Sequence, residues 1–266
     1  MKTKKIITVV VDNGFNEEYK SYLEKLGELK IIKIKEFFNL IEKKRNELTV
    51  KYNNSDIKPY IISMKINDFI DTLNIDLILF TGGADVNPEL YGEKLNPKTS
   101  ININRDKDER SLFDYCKNIP KLGICRGSQF LCVMHGGKLI QHVENHCISH
   151  DIHCKTSMPS KYFTLNMTSS HHQMMFPYNL NHNNFELLAW SKKFRSDIYL
   201  NGKNEQIRID NSFLEPEIVL FKKNDVNSLA IQGHPEWDNC ADITKEHTLK
   251  LISKLLINNK HEKVSF

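Results

Sequence analysis

Gly123–Gln129 is the segment of the sequence with the clearest potential for nucleophilic chemistry, because a cysteine stands at the centre of a Gly-x-Cys-x-Gly spacing. This spacing copies the nucleophile elbow, in which a strained turn between a strand and a helix presents a serine. Gly123 and Gly127 leave room for such a turn, and a helix N-terminus favours a thiolate at Cys125. The segment predicts Cys125 as a nucleophile and the backbone N–H of Arg126 as an oxyanion donor. The alternative is a buried structural cysteine in a tight turn.

A histidine and a glutamate stand two residues apart in Gly233–Trp237. Residues i and i+2 of an extended segment face the same way, so Glu236 can hold one tautomer of His234 and stabilise its charged form. His234 can then take the proton of Cys125 and later return one to a leaving group. A histidine near a glutamate is a weak signal alone, but here it completes a nucleophile, a base and an orienting group.

Thr81–Gly83 follows a short apolar run that predicts a buried strand. A glycine pair at a strand end lets backbone N–H groups approach a ligand closely. We expect the N–H of Gly83 to be the second oxyanion donor, although such a pair is by itself more often an ordinary turn.

Alternating strands and helices are predicted to position these segments. The patterns predict strands at 5–11, 29–34, 76–80 and 121–124 and helices at 17–26, 67–73, 107–117 and 127–135. Two later strand-like runs, 217–221 and 228–232, predict a β-hairpin attached to the sheet, and a last helix is predicted at 242–257. The alternation indicates one α/β domain over residues 1–266, with a mostly parallel sheet covered on both faces. In such sheets, sites form at the carboxyl ends of the strands.

The composition excludes several classes of protein. The chain has 266 residues, a net charge of +4 and 26% charged residues. Because the excess of positive charge is so small, we expect no nucleic-acid partner. The mean hydropathy of −0.46 and the short apolar stretch at 6–11 predict neither a membrane protein nor an export signal. Six cysteines without a CxxC pair then indicate reduced thiols and a cytoplasmic protein.

The order of these segments resembles the class I glutamine amidotransferase superfamily, and most closely its γ-glutamyl hydrolase-like branch, which is peptidase C26-like. The resemblance runs from about residue 76 to 240 in five blocks, Thr81–Pro88 with 91–93, Arg105–Asp106 with Glu109, 120–129 with 136–141, Ser169–Gln173, and Gly233–Trp237. It implies a three-layer, flavodoxin-like α/β fold. The chain departs from the family pattern at Thr168 and Cys132, where the family usually or often has asparagine.

The resemblance also implies roles for individual residues. Cys125 would be the nucleophile of a triad with His234 and Glu236, and Gly83 and Arg126 would supply the oxyanion donors. The residues placed near the γ-glutamyl group are Gln129, Ser169, Ser170 and His171. Arg105 is a further candidate for substrate binding, although Asp106 and Glu109 also fit a helix capping box.

The function that the resemblance implies is hydrolysis of a γ-glutamyl amide bond through a thioester, with no metal or organic cofactor. The substrate would be a small γ-glutamyl conjugate of an amine, a peptide or a nucleotide. One alternative is a glutaminase subunit that supplies ammonia to a separate synthase. The other is a binding module that keeps the fold without catalysis, against which the intact Cys125, His234 and Glu236 argue.

Two further histidine-containing features have less definite interpretations. The His/Cys-rich stretch at 142–154 holds four histidines and two cysteines, but its spacing matches no standard zinc pattern, so we expect a loop near the cleft. His172 is an alternative base. The sequence offers it no nearby carboxylate, which favours His234.

Overall fold

The computed structural model describes residues 5–52, 59–158, 161–210 and 212–258. The strands in chain order are β1 (Ile6–Val11), β2 (Glu28–Lys33), β3 (Leu77–Phe80), β4 (Lys121–Ile124), β5 (Lys138–Ile140), β6 (His142–Val143), β7 (His150–Lys155), β8 (Tyr162–Met167), β9 (Met174–Phe176), β10 (Phe185–Ser191), β11 (Tyr199–Leu200), β12 (Pro216–Lys223) and β13 (Val226–Ile231). The α-helices are α1 (Glu17–Leu23), α2 (Ile34–Tyr52), α3 (Pro59–Thr72), α4 (Ile103–Tyr115), α5 (Arg126–Met134) and α6 (Asp242–Ile252).

A nine-stranded sheet in the order β2-β1-β3-β4-β13-β12-β10-β7-β8 forms the centre of the protein. Its first five strands are parallel to one another. The hairpin partner β12 runs antiparallel to β13, and β10, β7 and β8 continue the sheet in antiparallel pairs. The predicted α/β fold and the hairpin attached to its sheet are therefore confirmed, and the hairpin leads into a larger antiparallel half.

Apolar side chains on the two faces of the sheet form two separate cores. Successive residues of a strand point to opposite faces, so Val9 and Val11 of β1 enter one core while Val10 enters the other. Helices α1 and α6 pack on the first face through residues such as Tyr22 and Ile252. Helices α2 to α5 pack on the second face. Strands β3 and β4, buried along their whole length, are covered on both sides.

The structure differs from the predicted elements mainly where polar residues are frequent. Helix α2, rich in lysine and glutamate, was not predicted, and α3 begins at Pro59 rather than at residue 67. Helix α4 begins at Ile103 rather than at 107 because the side chain of Asn102 caps it, accepting a hydrogen bond from the N–H of Arg105 at 3.1 Å. Strands β7, β8 and β10 were also not predicted.

Helices that could cross a membrane are absent from the described ranges, since none combines the necessary length with an apolar composition.

Candidate active site

The three segments predicted to carry chemistry follow three neighbouring parallel strands. Thr81–Gly83 follows β3, Cys125 follows β4, and Gly233–Trp237 comes shortly after β13. These strands are adjacent in the sheet, so their carboxyl ends place the segments side by side.

Cys125 occupies the strained turn that the glycine spacing predicts. Its φ of 52° and ψ of −111° lie outside the common regions for residues with a side chain. A Cβ atom on Gly127 would lie 2.0 Å from the carbonyl oxygen of Phe80, and one on Gly123 would lie 2.3 Å from the carbonyl oxygen of Gly127. Only glycine permits this approach of the turn to the strands. Helix α5 begins at the next residue, which places Cys125 at the positive end of the helix dipole.

His234 lies between Cys125 and Glu236 in a buried setting. Its Nδ1 is 2.8 Å from Oε1 of Glu236, and its ring stacks on Trp237 at a centroid distance of 3.9 Å. The backbone N–H of His234 donates to the carbonyl of Thr168 at 2.7 Å, so the backbone holds this segment as well. The three side chains of the predicted triad are thus brought together.

The proton affinity of His234 is strongly raised. Burial alone lowers its pKa, but hydrogen bonds to Cys125 and Glu236 and the charges of both residues raise it to about 10. The charged imidazolium is therefore the favoured form at neutral pH. A cysteine hydrogen-bonded to such a group, at a helix N-terminus, has the setting of a nucleophile.

Tyr19 is a residue near the triad that the sequence did not reveal. Its hydroxyl accepts a hydrogen bond from the N–H of Gly82 at 2.9 Å. Burial raises its pKa, and the charges of Glu236 and Cys125 raise it further, so the hydroxyl stays protonated. In the sequence Tyr19 is one of several apolar positions on a helix face, and nothing there marks its polar end. It holds the glycine loop, Thr81–Gly83, beside Cys125 and His234.

A buried network of ion pairs contacts the carbonyl groups of the glycine loop. Arg105 donates to the carbonyls of Thr81 and Gly82 at 3.0 and 2.9 Å, and it pairs with Asp12 at 2.9 Å and Glu109 at 2.6 Å. Gly83, with φ of 137°, passes so close that a Cβ atom would lie 2.3 Å from Arg105 Nη1. Arg105 thus supports the loop that carries a predicted oxyanion donor.

The side chain of Arg126 points into the same network and not into the cleft. It is 1% exposed and pairs with Asp106 at 2.5 Å and with Glu109. Asp106 and Glu109 act as its buried counter-ions, which explains their presence better than the predicted capping box does. The predicted role of Arg126, donation from its backbone N–H, does not depend on the side chain.

A cavity of about 190 Å³ lies in front of Cys125. Its lining residues are Gly83, Ala84, Asp85, Ser100, Cys125, Arg126, Gln129, Ser170, His171, His172 and Gln173, and all of them except Ser100 come from the predicted blocks. Both predicted oxyanion donors and three of the predicted substrate-binding residues therefore share one cavity. Arg105 and Ser169 lie outside its lining, and the hydroxyl of Ser169 donates to the carbonyl of His146 at 2.7 Å.

Two predicted substrate-binding side chains are held by the carbonyl of Gln173. It accepts from Nε2 of Gln129 at 2.9 Å and from Nδ1 of His171 at 2.8 Å. Burial lowers the pKa of His171 well below 6.5, so its ring is neutral. On the same wall, Nε2 of His172 lies 3.2 Å from Asp85. The expectation that His172 has no nearby carboxylate is wrong, because Asp85 is distant in sequence and the fold brings it close.

Comparisons with known proteins identify the family of the chain. A sequence model of the peptidase C26 family matches residues 59–192, half of the chain. The chain is 44% identical over 93 residues to the putative glutamine amidotransferase PB2B2.05 of Schizosaccharomyces pombe, and 40% identical over 70 residues to protein NtpR of Enterococcus hirae. These matches cover 34% and 25% of the chain and only 36% and 29% of the two relatives.

A solved structure also shares the fold over almost its whole length. It is a putative GMP synthase component from Thermoplasma acidophilum, with a TM-score of 0.56 at 16% identity, covering 98% of this chain and 99% of that one. The protein belongs to the peptidase C26 family, within the class I glutamine amidotransferase superfamily.

Proposed function

We propose that the protein hydrolyses the γ-glutamyl amide bond of a small conjugate and releases glutamate. The observation that carries this proposal is the arrangement of Cys125, His234 and Glu236, in which a cysteine in a strained turn is hydrogen-bonded to a histidine with a strongly raised pKa. The choice of a γ-glutamyl amide rests on membership of the peptidase C26 family.

The first half-reaction forms a thioester. Sγ of Cys125 attacks the γ-carbonyl carbon, and the N–H groups of Gly83 and Arg126 hold the oxyanion. His234 gives its proton to the leaving nitrogen as the C–N bond breaks, so the amine departs neutral. The γ-glutamyl group remains on Cys125.

The second half-reaction restores the free enzyme. Neutral His234 takes a proton from a water molecule, which attacks the thioester carbonyl through the same oxyanion donors. The C–S bond breaks, glutamate leaves, and Cys125 becomes the thiolate partner of the imidazolium again. Glu236 keeps Nδ1 of His234 protonated throughout, so that Nε2 can exchange the proton with the reacting groups.

The substrate determines whether the protein is an independent hydrolase or a supplier of ammonia. The solved neighbour is described as part of a putative GMP synthase, and that description applies to that protein. At 16% identity the likeness shows a shared fold. An ammonia-supplying role is therefore an alternative that the substrate test must distinguish.

The test measures free glutamate and the released amine from glutamine and from panels of γ-glutamyl amines, γ-glutamyl peptides and nucleotide amidates. Cys125→Ala serves as the inactive blank. Cys147→Ser is the matched control, because Cys147 is an exposed thiol and a serine can keep its hydrogen bond to the carbonyl of His171. We expect glutamate from at least one conjugate, equal rates in the Cys147→Ser protein and none in the Cys125→Ala protein. Release from glutamine alone would favour the ammonia-supplying role, and full activity of the Cys125→Ala protein would refute the mechanism.

A further inference from the structure

A second cluster of buried titratable side chains lies beside the candidate active site, where three separate segments meet. His146 comes from the loop after β6, His171 from the segment between β8 and β9, and Glu217 from β12. Their exposed fractions are 0%, 4% and 0%. One ligand-type atom from each residue lies within 4.8 Å of those of the other two. The proposed thiol chemistry does not use this cluster.

Each of the three side chains has a polar neighbour on at least one of its atoms. Nδ1 of His171 donates to the carbonyl of Gln173 at 2.8 Å, which leaves Nε2 of the neutral ring with a lone pair. Nε2 of His146 faces Glu215 at 3.3 Å, whereas its Nδ1 faces Glu217 at 3.7 Å. Oε1 of Glu217 is bound to Nε2 of His150 at 2.7 Å.

Each of the three residues also has a buried atom without a hydrogen bond. Within the described part of the chain, these atoms are Nδ1 of His146, Nε2 of His171 and Oε2 of Glu217, and Nε2 of His146 is likewise without a hydrogen bond although it faces Glu215. Buried polar atoms are seldom left unpaired, and three of them close together need an explanation. A bound cation that accepts all three lone pairs would provide one.

The donor set indicates the class of cation. Two imidazole nitrogens and one carboxylate oxygen suit Zn²⁺ and related divalent transition metals far better than Mg²⁺ or Ca²⁺, which prefer oxygen ligands. The surrounding contacts also fit, because ligating histidines usually donate their second nitrogen to a carboxylate or carbonyl. Glu215 stands in that position for His146, and it is held by the hydroxyl of Tyr199 at 2.7 Å.

We propose that His146, His171 and Glu217 bind one divalent transition-metal ion of the zinc class, at a site separate from Cys125 and His234. The sequence argument against a zinc site considered only the residue spacing within the stretch 142–154. Only His146 belongs to that stretch, so local spacing could not reveal the set. The ion would connect the loop after β6 and the wall of the catalytic cavity to β12. The loop and the wall are already joined by one hydrogen bond, since the N–H of His171 donates to the carbonyl of His146 at 3.2 Å.

The test uses the full chain with Cys125→Ala, so that zinc cannot bind the catalytic thiol. The protein is stripped with a chelator, dialysed against Zn²⁺ and analysed for bound metal, and Co²⁺ is used for absorption spectroscopy. We expect one equivalent of Zn²⁺, X-ray absorption with nitrogen and oxygen neighbours at about 2.0 Å, and no sulfur-to-cobalt charge-transfer band. This measurement does not require any variant of the cluster to fold.

Variants in the same background identify the ligands. Glu217→Gln and His146→Gln should lose the stoichiometric ion, whereas Glu215→Gln should bind it about 10–100-fold more weakly. His153→Gln is the matched control, since His153 lies in the same stretch and outside the cluster, and it should bind normally. A stripped protein that takes up no zinc would overturn the proposal. A sulfur ligand, or full binding by Glu217→Gln, would overturn it as well.

Discussion

Removal of the Cys125 sulfur should lower the pKa of His234 substantially. The rise of the pKa from the ordinary 6.5 to about 10 means that the folded protein stabilises the imidazolium by about 5 kcal/mol more than water stabilises that of an ordinary histidine. Because burial acts in the opposite direction, Cys125 and Glu236 must together supply more than this amount. In the Cys125→Ala protein Glu236 alone would oppose burial, and we expect the pKa of His234 to fall by about 1–3.

The measurement is an NMR titration of histidine-labelled protein, in which the spectrum of a His234→Gln variant identifies the resonance among the 11 histidines. The Cys147→Ser protein is the control and should titrate like the wild type. An unchanged pKa of His234 after removal of Cys125 would mean that Cys125 does not hold the proton on His234.

The same pKa has a consequence for stability. A folded-state pKa above the unfolded value means that the stabilisation from His234 is complete below about pH 6.5 and is lost as the pH rises through about 10. The contribution of His234 to the free energy of unfolding of the wild type should therefore decline as the pH rises over this interval. The Cys125→Ala protein should show a smaller decline, which urea denaturation at a series of pH values measures.

Three further substitutions test the parts that surround the thiol. Glu236→Gln should lower kcat/KM by about 10²–10⁴, because His234 loses the charge that orients it. The pH at which kcat/KM falls on the alkaline side should also move below about pH 10. An unchanged pH–rate profile would contradict this. Gly83→Ala should lower kcat by about 10²–10³ with little change in KM, because the new Cβ meets Arg105 and displaces an oxyanion donor. A normal kcat in steady-state kinetics would show that the loop is not involved. Arg126→Met should cost about 3–5 kcal/mol of stability in urea denaturation, because two buried carboxylates lose a counter-ion, and a neutral effect would argue against the network.

The sequence contains most of what is needed to predict the segments of the candidate active site. The turn at Cys125 and the pair at His234 and Glu236 depend on neighbours within a few residues, so spacing alone indicates their geometry. The buried apolar runs of the parallel strands likewise mark their positions in the sheet. The structure brings these segments together because they follow adjacent strands.

The parts that the sequence did not reveal depend on partners distant along the chain. Arg105 was a candidate for substrate binding, but its guanidinium is occupied by Asp12, which lies 93 residues away. Asp85 beside His172 and the hydroxyl of Tyr19 beside Gly82 are similar cases. Local periodicity carries no information on such pairs, because the fold alone creates them.

Trapping of the intermediate shows whether Cys125 carries a γ-glutamyl thioester. The full chain is mixed with an active γ-glutamyl conjugate, quenched in acid at early times and digested for mass spectrometry. We expect a glutamyl adduct on the peptide containing Cys125, and this adduct should disappear as free glutamate accumulates. Glutamate release without an adduct at any time, or an adduct on another residue, would contradict this expectation.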